Sequence, residues 1–136
     1  MKKIYIAGKI SGECETPELM QKCIDKFNDY GKSLSFGKFS FSGDKYCFAV
    51  CGDIQFTHGF FINQRILGKA KWTDYMKNDI RILLECDEAH FLPDWENSKG
   101  ANIEHQLCLD LEIQIKYVQI QNETPNIKKS YISTYR

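Results

Sequence analysis

The chain has 136 residues and a mass of 15.8 kDa, one domain's worth of protein. Hydrophobic residues make up 43% and charged residues 26%, which argues against wholesale disorder, and eighteen basic residues cancel eighteen acidic ones. That balance excludes a basic footprint for a nucleic-acid polymer, and no apolar run approaches the roughly 18 residues of a membrane helix.

In chain order, residues 3–7 are β-branched and aromatic and stop at Gly8, which predicts a short buried strand followed by a loop, Gly8-Lys9-Ile10-Ser11-Gly12. Met1 to Ala7 has a charged tip, but its apolar run falls short of the roughly 7–15 residues of a secretory signal, so a cytoplasmic protein is expected. Thr16-Pro17-Glu18 reads as a helix start, with Leu19, Cys23, Phe27 and Tyr30 at near-helical spacing and Gly31 as the stop. Residues 33–58 change to a period of two, rich in Phe, Ser and Gly, and predict one or two antiparallel hairpin strands as a β-rich insertion. Phe60-Phe61-Ile62 reads as a further core strand.

Trp72 to Leu84 predicts a second helix whose apolar stripe is Trp72, Met76, Ile80, Leu83 and Leu84, starting near Ala70 or Thr73. Ala89 to Leu92 is a strand closed by Pro93, residues 94–100 are a polar loop, and Ala101 to Leu111 is a third helix. Ile113, Ile115 and Tyr117 alternate with polar residues as a last strand, and 121–136 reads as a polar tail. With 33–58 set aside, the order β-α-β-α-β-α-β over residues 1–120 predicts an α/β domain: a parallel sheet with helices on both faces. Ligands of such sheets bind outside the carboxyl ends of the strands. The loops 8–12 and 93–100 are predicted to lie there.

The six cysteines, Cys14, Cys23, Cys47, Cys51, Cys86 and Cys108, are scattered and form no CxxC. Cys47 and Cys51 with His58 fit a zinc knuckle poorly, so free thiols and no metal are expected. Asp79 borders the apolar stripe of the second helix, three residues after Met76 and four before Leu83. Glu104 is placed inward in the same way on the third. Two semi-buried acids meeting in one cleft suit acid/base or nucleophilic work at a sugar carbon, because environment can separate their pKa values. The plainer readings are a favourably placed acid near a helix start for Glu104 and a boundary residue for Asp79.

The Gly8–Gly12 loop offers backbone N–H groups, Lys9 and Ser11 to a phosphate, or is an ordinary strand-to-helix turn. Ser98 and Gly100 flank the third helix start, where Ser98 can simply be the cap. Trp95 can stack on a base or cover the loop. His90 reads as a structural histidine and His105 as a surface or interface residue.

These residues together resemble a known pattern. Residues 5–12, 72–80, 86–87 and 92–105, above all Pro93-Asp94-Trp95 through Ser98, Gly100-Ala101 and Glu104, are similar to small bacterial and phage proteins of uncharacterised function grouped with the nucleoside 2-deoxyribosyltransferase superfamily. The resemblance implies a flavodoxin-like or Rossmann-like fold, a homodimer or higher homo-oligomer, and cleavage of the N-glycosidic bond of a nucleoside or nucleotide without a cofactor. It implies that Glu104 is the nucleophile, that Asp79 handles protonation of the leaving base, and that Tyr5 holds the glutamate. Ser98, six residues before Glu104, has the spacing of a phosphate-binding serine in the nucleotide N-hydrolase branch. Asp94, ten residues before, does not match the sugar-binding aspartate of the transferases; it is kept with Trp95, Gly8, Lys9, Ser11, Gly12 and Gly100 as a candidate ligand contact. The competing expectations are a nucleotide-binding module without chemistry and an interaction protein whose 33–58 aromatics form an oligomer surface.

Overall fold

The computed structural model describes residues 2–9, 17–34, 40–41, 49–51, 54–57, 71–121 and 131–135. They form an α/β fold around one open sheet. Strand β1 (Lys2–Ala7) is followed by helix α1 (Pro17–Leu34), strands β2 (Ser40–Phe41), β3 (Ala49–Cys51) and β4 (Ile54–Thr57), and helix α2 (Trp72–Leu83). Strand β5 (Glu88–Phe91), a 3-10 turn (Trp95–Asn97), helix α3 (Lys99–Asp110) and strands β6 (Gln114–Ile120) and β7 (Tyr131–Tyr135) complete it. The strand order is β2-β3-β4-β1-β5-β6-β7. Its centre, β4-β1-β5-β6, is parallel, and antiparallel pairs close both edges.

Side-chain alternation sends β1 and β5 to two different interiors. Tyr5, Ala7, Ala89, Phe91 and Ile115 meet Ile82 and Leu83 of α2 and Cys108 of α3 on one face. On the other face His90 meets α1 through the Tyr30 hydroxyl, 2.7 Å from its Nδ1. Both faces of β5 are therefore buried, all four of its residues included. This is the burial expected of a central parallel strand, and it forces Glu88 and His90 to find polar partners. Lys2 Nζ lies 2.8 Å and His90 Nε2 3.1 Å from Glu88 Oε1.

Several local expectations are revised. The strand that returns parallel to β1 after α1 is Ile54–Thr57, inside the segment read as an insertion; the hairpin pair β2–β3 lies outboard of it. Phe60–Ile62, read as that strand, lies outside the described residues. Helix α1 runs through Gly31 to Leu34, because one glycine costs a helix only about 1 kcal/mol. The 121–136 segment is not all tail: Tyr131–Tyr135 pairs antiparallel with β6. Helix α2 starts one residue after Lys71, whose N–H donates to Asp74 Oδ2 at 3.0 Å. Among the described residues, no helix is long and apolar enough to cross a membrane.

Candidate functional site

Helix α1 follows β1 on one face of the sheet, and α3 follows β5 on the other. The chain therefore parts at the carboxyl ends of these two neighbouring strands, where an open α/β sheet leaves a crevice. The loops on either side are held close. Leu92 N–H donates to Ala7 C=O at 2.8 Å, and a Cβ on Gly8 would lie 3.1 Å from Leu92 Cδ1 and 3.2 Å from Asp94 Oδ1. Glycine at position 8 allows that approach.

Tyr5, Glu104 and Asp79 come together on the face covered by α2 and α3. Tyr5 is 2% exposed, Glu104 5% and Asp79 7%. The Tyr5 hydroxyl hydrogen-bonds to the Glu104 carboxyl, and the charge of Asp79 acts on both groups. Glu104 Oε2 is buried with no hydrogen-bond partner. Burial first, and then the charge of Asp79, push the Glu104 carboxyl up to about 8 against the opposing pull of the Tyr5 bond. Burial, with the two acids, also holds the Tyr5 phenol well above its ordinary range, so Tyr5 is a proton donor in this bond. Burial and the Asp79 charge thus favour the neutral acid of Glu104, which avoids a buried anion with one unpartnered oxygen.

The helix positions follow from local sequence. Ser98 caps α3, its Oγ accepting from Ala101 N–H at 3.1 Å, and the Ser98 side chain is buried. This is the capping role, and it uses one acceptor site of the hydroxyl oxygen. Gly100 lies under Met76: a Cβ there would be 2.8 Å from Met76 Sδ. Its glycine thus lets α3 close on α2 beside the Met76–Asp79 stripe.

The loop residues find partners within the protein. Asp94 is engaged inside the protein, with Oδ1 accepting from Lys9 N–H at 3.1 Å and Oδ2 from Lys26 Nζ at 2.6 Å. Trp95 covers the loop: its indole stacks on His105, with centroids 4.3 Å apart, and meets the edge of Phe91. His105 is half-buried in that cluster rather than a surface residue, and its Nε2 lies 2.7 Å from the Tyr117 hydroxyl. Ser11 and Gly12 lie outside the described residues.

Two residues escaped the sequence reading. Lys26 reaches the loops from α1, and the signal was available: a lysine directly before buried Phe27, at the border of the α1 stripe. Glu88 is buried in β5, and its alternation with His90 was the clue. His90 is the structural histidine its strand position implied. Burial lowers it to about 4 despite the Glu88 carboxylate beside it. Burial likewise pushes the free thiols of Cys86 and Cys108 up to about 12, far from nucleophilic poise. Among the described residues no group of three or more His, Cys, Asp or Glu is placed to hold a metal ion.

No curated protein and no solved structure matches this chain. A family model does, over residues 2–117, and the chain belongs to that family, described as Domain of unknown function (DUF4406).

Proposed function

We propose that the protein cleaves or transfers at the N-glycosidic bond of a nucleoside or nucleotide, with Glu104 as the nucleophile. The observation that carries this reading is the buried group of three: Glu104 with one unpartnered oxygen, Tyr5 bonded to it, and Asp79 within electrostatic reach. An α/β sheet with a crevice at the β1 and β5 carboxyl ends is compatible with a flavodoxin-like or Rossmann-like domain, for which residues 1–120 suffice.

The raised Glu104 carboxyl fits this chemistry if one proton serves both acids. Glu104 gives its proton to Asp79 and becomes the carboxylate, which the Tyr5 hydroxyl stabilises. A Glu104 oxygen then bonds to the anomeric carbon as the carbon–nitrogen bond breaks, and the bond's electron pair leaves with the base. Asp79 protonates that base, and the sugar remains as an ester of Glu104. Water releases it as free sugar, or a second base releases it as a new nucleoside. The steps need no metal or organic cofactor, and the site is proposed to work in a homodimer or higher homo-oligomer.

Purified protein incubated with deoxynucleosides, their 5′-monophosphates and ribonucleotides is expected to release free base. Intact-mass spectra should show a sugar adduct that Glu104→Ala abolishes. Because the one proton shared by Glu104 and Asp79 must reach the leaving base, kcat/KM should fall as pH rises through about 8. The reading is wrong if no adduct forms and Glu104→Ala changes no turnover on any of these compounds.

A second reading rests on the neutral state of Glu104. A protonated carboxyl donates a hydrogen bond, so the same cleft can hold a nucleotide without chemistry. Tight binding that survives Glu104→Gln, with the ligand recovered intact, favours that binding module.

A further inference from the structure

Asp94 and Lys26 stand where the loop after β1 meets the loop after β5. Lys26 projects from α1, which packs on the face of the sheet opposite α3. Its ammonium nevertheless reaches the carboxyl edge, donating at 2.6 Å to Asp94 Oδ2 and at 2.6 Å to Lys9 C=O. The two side chains are only 24% and 29% exposed, so the pair is partly desolvated and less screened than a surface ion pair. Asp94 Oδ1 holds the Lys9 N–H at 3.1 Å.

From Asp94 a continuous set of hydrogen bonds runs to the helix that carries Glu104. The Asp94 C=O accepts from Asn97 N–H at 3.1 Å, closing the 3-10 turn. Ser98 N–H follows with a 3.0 Å bond to Trp95 C=O, and Ser98 Oγ caps α3 at Ala101. Glu104 is one turn further on. From Lys9 the chain leads back through Gly8 and Ala7 to Tyr5, two residues earlier on the same face of β1.

We propose that Lys26 and Asp94 are a positioning pair that fixes the loop after β1 against the loop after β5, and thereby sets the spacing of Tyr5 and Glu104. Asp94 then contacts the protein rather than the ligand. The inference rests on the Tyr5–Glu104 pair being the site proposed above, but not on the reaction assigned to it. A latch at the loops is the economical way to hold this spacing, because Tyr5 is on β1 and Glu104 on the helix that follows β5, so a shift of either loop changes their bond.

The test needs no ligand. In the full chain labelled with ¹³C, the Glu104 side-chain carboxyl is titrated by NMR in wild type, Lys26→Met, Lys26→Arg and Asp94→Asn. Loosening the latch admits water and weakens the Tyr5 bond, and the loss of burial dominates. The midpoint in Lys26→Met and Asp94→Asn is therefore expected to fall by about one pH unit or more toward the ordinary glutamate range. Lys26→Arg, which keeps the charge, is expected to restore most of the wild-type value. An unchanged midpoint in both neutralising variants overturns the proposal, as does a fall that Lys26→Arg fails to reverse. Should the variants not fold, amide exchange of wild type decides: Lys9 N–H is expected to be protected, and an unprotected Lys9 amide overturns the latch. Failure to cleave any nucleoside would sink the proposed reaction and leave this result standing.

Discussion

The Tyr5 hydroxyl donates to Glu104 while burial and the Asp79 charge push the same carboxyl toward its neutral form. Removing each influence must move Glu104 in a known direction. Tyr5→Phe deletes the bond that favours the anion, so the Glu104 midpoint should climb above about 8. Asp79→Asn deletes a repelling charge, so the midpoint should fall. Carboxyl ¹³C NMR of the two variants measures both, and equal shifts of the same sign would contradict the arrangement.

Stability should depend on pH through two buried groups of opposite sign. Glu104 is raised from 4.5 when unfolded to about 8 when folded, so the folded state binds more protons between those values. Its contribution is complete below 4.5 and is lost as pH rises through 8. His90 is lowered from 6.5 to about 4, so its contribution is complete above 6.5 and is lost as pH falls through 4. Each slope is at most about 1.4 kcal/mol per pH unit. The two slopes have opposite sign and nearly cancel between 4.5 and 6.5. Urea unfolding from pH 4 to 9 should therefore show a decline above 6.5 that Glu104→Gln flattens, and an acid-side decline that His90→Gln flattens.

Gly8→Ala adds a methyl group against Leu92 and Asp94, with Leu92 Cβ itself 3.3 Å away. A Cβ that near a neighbour's Cβ cannot be relieved by rotating a side-chain tip. We expect a loss of about 1 to 3 kcal/mol in chemical unfolding, with faster exchange at the Lys9 amide as the loops separate.

Ser98→Ala removes the cap of α3. The expected cost is about 1 kcal/mol, read in urea unfolding. Ser98→Thr keeps the acceptor oxygen and should retain more of the stability than alanine does. Equal losses in both variants would show that packing, not the cap, is what Ser98 supplies.

Much of this arrangement was legible in the sequence, and the reason differs by element. The strand at residues 2–7 and the helices at 72–83 and 99–110 carry periodicity strong enough to fix their type, and their order implies the parallel centre of the sheet. Glu104 and Asp79 were legible because an acid beside an apolar stripe must be partly buried wherever that helix packs. The parallel strand at 54–57 was hidden by the hairpin pattern around it, since a four-residue strand looks the same from either kind of sheet. The edge strand at 131–135 was hidden by the polar residues and Pro125 before it, although Tyr131-Ile132-Ser133-Thr134-Tyr135 is itself rich in β-formers.

The internal partners of the loop residues were decided only by the tertiary structure. Sequence alone placed Asp94, Trp95 and Ser98 in one polar loop and left Trp95 between a ligand and the loop, and Ser98 between a ligand and the helix cap. Folding gives Asp94 to Lys9 and Lys26, Trp95 to His105, and Ser98 to Ala101. A polar group's partner depends on which chain segment arrives beside it, and Lys26 stands 68 residues from Asp94. Local pattern determines which residues are buried; only the packed sheet, with α1 on one face and α3 on the other, determines which of them meet.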